Sequence, residues 1–266
     1  MICAIVFLVA YTIYAASSVK ACGTLFHTVI GMDPQIAMYL AAVVIVGYTF
    51  LGGFSAVCWT DFFQGMLVLG SMFIAPIFAA FMLDTSSMSS LPGGYLNPFS
   101  SWQDIVSGLA WGLGYFGMPH IIIRFMSIKS QKDLKKSAKI GITWTLLIVF
   151  FATLIGIIGR LFLGFDESIN ENSLVFIQIV RKIFPGVISG ILLSAVLAAS
   201  MSTADSQLLA ASSAFSSDVY KPVIRKGKAS DKEMMWTGRI VVLGISVAAL
   251  IIASNPNLSL IHISEP

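Results

Sequence analysis

Seven stretches of this chain are each long and apolar enough to cross a lipid bilayer, near residues 2–26, 36–54, 58–83, 104–123, 138–163, 186–217 and 237–254. A spanning helix needs about 20 such residues. No strand-like alternation competes with them, so the expected class is an all-α, multi-pass membrane protein. Composition agrees, with 57% of the 266 residues hydrophobic, 11% charged and a mean hydropathy of +0.88. Soluble domains carry about 25% charged residues, and a soluble globule of this size could not hide so much apolar surface. The first stretch has no basic start and no clear small-residue cleavage site, so it reads as a spanning helix rather than a signal peptide.

The charges lie between the spans. Arg124, Lys129, Lys132, Lys135, Lys136 and Lys139 follow the fourth; Lys221, Arg225, Lys226, Lys228 and Lys232 follow the sixth. The intervening loops 84–101 and 164–173 hold acids but no Lys or Arg. If all seven segments span, the basic loops 124–139 and 218–236 share one side, and the positive-inside rule places that side in the cytoplasm. These runs set topology; a specific anionic-lipid site is the other reading. A shorter amphipathic helix is expected near 171–184, with Leu174, Ile177 and Val180 at helical spacing. It is too polar to span and is expected to lie at the surface.

Several function classes drop out. Cys3, Cys22 and Cys58 are odd in number and show no CxxC spacing, and His27, His120 and His262 form no ligand pattern. Neither a disulfide framework nor a transition-metal site is expected. "GFSAV" lacks the last glycine of a nucleophile elbow, "SSVK" sits in an apolar span without partner motifs, and no phosphate-binding loop occurs. No catalytic residues are assigned, and an enzyme is not expected.

Polar residues inside spans therefore carry the functional reading. In the sixth span, Ser202, Asp205, Ser206, Leu209, Ser213 and Ser216 fall on one helical face, with Thr203 beside it. Their oxygens are hard donors of the kind hard cations prefer, and an ionisable group inside a span suggests an ion path or a paired charge. Close helix packing through small hydroxylated residues is the bland alternative. Ion binding is favoured for Ser202–Ser206, and packing for Ser212, Ser213, Ser216 and Ser217. The fourth span, "SGLAWGLGYFGMPH", holds Gly108, Gly112, Gly114, Gly117 and then Pro119. Such a run weakens a continuous helix, and broken helices line cavities in secondary transporters. Trp111 and Tyr115, at i and i+4, then form either one wall of a small-solute site or an interfacial aromatic belt beside GxxxG packing. Asp61 opens the third span, where an acid also suits a helix N-terminus. Gly52–Gly53 before it marks a tight turn.

Three stretches, "YTFLGGFSAVCWTD", "WGLGYFGMPHIIIRFM" and "GILLSAVLAASMSTADSQLLAASSAFSSDVYK", resemble the sodium/solute symporter family, nearest its sodium/proline branch. They occur in the family's order, and the resemblance covers roughly residues 1–254. It implies a LeuT-type core of two inverted five-helix repeats, of which this chain would hold core helices three to nine as a partial transmembrane domain. It implies a sodium site at Ser202, Thr203 and the Ala199 carbonyl. In some members a second sodium site matches Asp61, Asp205 and Ser206. Trp111, Tyr115 and Pro119 match substrate-side positions of the broken sixth core helix. The coupling ion would be Na+, with no organic cofactor. The partners would be a small solute, proline first, and the lipid bilayer, with no nucleic acid and no protein partner indicated. Residues 255–266 do not resemble the family's continuation and are expected to mark a truncation, so that isolated transport is not expected. Other solutes, or a transporter-like domain of a sensor kinase, are the alternatives.

Overall fold

A computed structural model describes residues 2–83, 96–97, 99, 101–115, 117–164 and 174–255, nearly all of them helical. The helices are α1 (Ile2–Ile30), α2 (Pro34–Phe81), α3 (Trp102–Tyr115), α4 (Pro119–Met126), α5 (Gln131–Leu163), α6 (Val175–Ile183), α7 (Gly186–Ala214) and α8 (Asp231–Ser254). A π-helical segment, Phe215–Ile224, prolongs α7. Among the described residues five helices are long and apolar enough to cross a membrane, and α3 with α4, bent at the break between them, makes a sixth if the pair is one span. Helix α2 holds two of the seven expected stretches. A straight helix of its 48 residues would run about 72 Å, more than twice the bilayer core. It is interrupted at Gly53, whose φ of 59° and ψ of −154° lie where only glycine sits without strain.

The chain forms two compact units, Met1–Gly65 with Val196–Pro266, and Met66–Ala195. In the first, α1 packs on α8, and α1, α2, α7 and α8 converge around Ala15, Ala42, Leu208 and Ala249. The contact surface is built from small residues: Ala16, Ala37 and Ala204 are fully buried. Packing rather than a hydrophobic drive holds helices together in lipid, and small side chains let backbones approach. Gly23 shows how closely, since a Cβ there would stand 2.6 Å from the Pro34 carbonyl oxygen. Outward faces are apolar too, with Val43 at 70% and Leu51 at 74% exposure, as lipid-facing positions require.

In the second unit, Ala79, Ile155, Val175 and Ile179 form a core. Phe73 meets Phe151 edge to face at 5.0 Å, and Phe78 lies 5.3 Å from Phe184. Here the structure corrects one expectation. Helix α6 does not rest its apolar face on the membrane surface: Ile179 and Val180 are fully buried, and α6 packs on α5. Gly159 of α5 makes room, because a Cβ there would come 2.6 Å from Val175 Cγ1. An apolar helix face reads the same in sequence whether lipid or a neighbouring helix covers it.

The helices also begin earlier than hydropathy places them. Ser130 caps α5 by accepting from the Asp133 N–H, and Ser230 caps α8 by accepting from the Glu233 N–H. Lys132, Lys135, Lys136 and Lys139 therefore ride on the first turns of α5. Beyond the π-helical segment, Tyr220 donates to Glu233 at 2.6 Å and Arg225 pairs with the same carboxylate at 2.7 Å, tying the two ends of the 218–236 connection. Most of the acidic loops 84–101 and 164–173, and all of the 255–266 tail but Asn255, lie outside the described residues.

Candidate functional site

The polar stretch of the sixth span forms two adjoining clusters on α7. In the first, the Ser202 and Thr203 hydroxyls both donate to the Ala199 carbonyl, at 3.0 and 2.9 Å. Bonding back to the preceding turn satisfies a hydroxyl inside an apolar helix. It also gathers three oxygens in one place, and the two hydroxyls keep lone pairs to spare, while the Ala199 carbonyl would exchange its hydroxyl donors for a cation. Ser202 is half-buried and Thr203 exposed. The three residues expected as a sodium site are thus brought together.

The second cluster lies one turn on. Asp205 has no exposed surface. Tyr48 donates to its Oδ2 at 2.6 Å, and Ser206 lies 3.3 Å from its Oδ1. The same Ser206 hydroxyl stands 3.5 Å from Asp61 Oδ2. Having one hydrogen, it serves one carboxylate at a time, so the two acids bracket it. Tyr48 also interacts with Asp61 and with the side chain of Gln64. A straight helix would hold residues 48 and 64 about 24 Å apart. The kink at Gly53 is what lets both halves of α2 address one point on α7.

The result is a nest of carboxylate, hydroxyl and amide oxygens, with Gln64 Oε1 buried and without a hydrogen-bond partner. Such donors suit Na+ and do not suit soft metals. Among the described residues no group of three His, Cys, Asp or Glu could hold a transition metal. Tyr48 and Gln64 were not singled out from sequence. Gln64 could have been, standing three residues after Asp61 on the same helical face. Tyr48 had no such signal, because its partners are distant in sequence.

The expected substrate positions lie in the other unit. Trp111 and Tyr115 occupy α3 at i and i+4, and Tyr115 ends it. Met118 is extended, with φ −71° and ψ 114°, and Pro119 starts α4 at its first turn. Proline fits there because its missing N–H would have no helical partner, and it disfavours a helical residue before it. Helices α3 and α4 are bent by 40° across this break. The interruption thus falls where the glycine and proline spacing placed it.

Comparison with known proteins gives the context. The sodium:solute symporter family profile matches residues 1–265. The high-affinity proline transporter PutP of Bacillus subtilis is 40% identical over 261 residues, covering 95% of this chain and 55% of that protein. The osmoregulated proline transporter OpuE of the same organism is 37% identical over 271 residues, covering 99% and 55%. A sodium/proline symporter of Staphylococcus aureus is 38% identical over 273 residues, covering 99% and 53%. The chain thus spans about half the length of the curated relatives it matches. A solved Na+-coupled sialic acid symporter superposes with a TM-score of 0.82 at 20% identity, over 96% of this chain and 58% of that one. That likeness establishes the fold, the LeuT-type helical core expected above. With the profile covering nearly every residue, the chain belongs to the sodium:solute symporter family.

Proposed function

We propose that the full-length protein couples Na+ entry to uptake of a small organic solute, L-proline first, across the cell membrane. Na+ is held at Ala199, Ser202 and Thr203, with a second position among Asp61, Asp205 and Ser206. Trp111, Tyr115 and Pro119 contribute to the solute site. The loops 124–139 and 218–236 face the cytoplasm, because they carry the basic residues. The observation that carries this reading is the pair of oxygen clusters on about two turns of α7, one neutral and one anionic. The choice of proline is supported by three relatives named as proline transporters, at 37–40% identity.

The energetics suit the task. Each net positive charge moved inward gains about 2.3 kcal/mol per 100 mV of membrane potential. That is more than about tenfold in accumulation. If Na+ tightens the solute, the solute tightens Na+ by the same factor. The test is uptake of labelled L-proline into proteoliposomes holding the full-length protein, with and without an inward Na+ gradient. Uptake that needs the gradient is expected. Equal uptake in choline medium would overturn the coupling, and Na+-driven uptake of another solute without proline would overturn the choice of solute.

A further inference from the structure

Away from the Asp205 cluster, the first unit holds a second polar feature. A cavity of about 370 Å³ lies among the end of the first half of α2, the last turns of α7 with its π-helical extension, and the start of α8. Thr49, Ser212, Ser213, Ser216 and Arg239 line it together with apolar Leu209 and Val242. No acidic side chain lines it among the described residues. Thr49 is 2% and Ser216 5% exposed, and neither hydroxyl has a hydrogen-bond partner. Unsatisfied buried hydroxyls are costly, so two lining one cavity need an account.

Arg239 supplies the charge. One of its N–H groups donates to the Leu51 carbonyl at 3.2 Å. Its guanidinium lies 5.6 Å from the Phe50 ring and 5.2 Å from the Trp236 ring. These contacts hold the plane of the group, and it pairs with no carboxylate among the described residues. A guanidinium has five N–H donors in a fork that matches a carboxylate, so donors remain after the Leu51 bond. The hydroxyls add further donors, and Leu209 and Val242 add an apolar wall. The volume is at the small end of ligand pockets, about 300–1,000 Å³.

We propose that this cavity binds a small organic carboxylate, with Arg239 holding the carboxylate and Thr49 and Ser216 donating to it. The occupant is either the transported solute through its own carboxyl group or a free carboxylate of the cell. The site is separate from the Na+ and solute positions assigned above, and it stands whether or not proline is the transported solute.

The test uses the full-length protein with every native cysteine, Cys3, Cys22 and Cys58 among them, replaced by Ala and Ser213→Cys as the reporter. Maleimide labelling of that cysteine is timed against acetate, acetamide and L-proline. Acetate at about ten times its Kd should slow labelling about tenfold, while acetamide should not. Protection by L-proline at much lower concentration than acetate identifies proline as the occupant; equal or weaker protection identifies a free carboxylate. Arg239→Gln should abolish protection, and Arg239→Lys should retain part of it. Thr49→Val serves if Arg239 variants do not fold, since it removes a buried hydroxyl that has no partner. It should leave the melting temperature unchanged or raised, yet weaken acetate protection. No protection by acetate, equal protection by acetamide, or protection unchanged in both Arg239→Gln and Thr49→Val overturns the proposal.

Discussion

A carboxylate with no exposed surface in a long apolar helix must find a partner or give up its charge, because desolvating it alone costs many kcal/mol. Asp205 meets this with the Tyr48 hydroxyl at 2.6 Å and the Ser206 hydroxyl at 3.3 Å. The short phenol bond is of the charge-assisted kind, worth about 1.5–3 kcal/mol. Tyr48→Phe should therefore lower the thermal midpoint of the purified protein. Saturating Na+ should restore most of the loss, because a cation beside Asp205 replaces the missing donor. Equal loss with and without Na+ in a thermal-shift titration would mean that the bond is only structural. Ser202, Thr203 and Asp205 were legible in the sequence because hydroxyls and an acid at helical spacing stand out in a greasy span. Tyr48 was not, since an aromatic residue with a polar tip is ordinary near a membrane interface. Its role depends on a contact 157 residues away.

At the scale of helices, the turn at Gly53 decides whether the anionic cluster exists. A φ of 59° with ψ of −154° is a glycine conformation, and another residue there costs about 1–3 kcal/mol. Gly53→Ala should reduce the yield of folded protein and weaken Na+ binding together, because Asp61 and Gln64 lose their register against Asp205. Unimpaired Na+ binding by a well-expressed Gly53→Ala protein would contradict this. The turn itself was legible from Gly52–Gly53, and the break before Pro119 from the glycine run. The helix starts at Gln131 and Asp231 were missed because hydropathy sees only the apolar part of a helix. The capping serines Ser130 and Ser230, each followed three residues later by an acid, mark those starts. The burial of α6 was not legible at all, since Ile179 and Val180 look alike under lipid or under α5.

For the whole molecule, membership of the symporter family and the LeuT-type fold account for why so many helices are interrupted. Breaks at Gly53 and before Pro119 interrupt the backbone ladder within apolar segments, which a bilayer tolerates only where protein or a cavity surrounds them. The central claim is that the oxygens of Ala199, Ser202 and Thr203 hold a Na+ whose binding is linked to that of the solute. Linkage makes this testable at equilibrium, without transport. The most direct measurement is binding of labelled Na+ and labelled L-proline to the full-length protein, each titrated in the presence and absence of the other. The account predicts that proline tightens Na+ by the same factor as Na+ tightens proline. It also predicts that Ser202→Ala and Thr203→Ala each weaken Na+ by about tenfold, the loss of roughly 1.4 kcal/mol of ligand interaction. Na+ binding that is unchanged in both variants would contradict it.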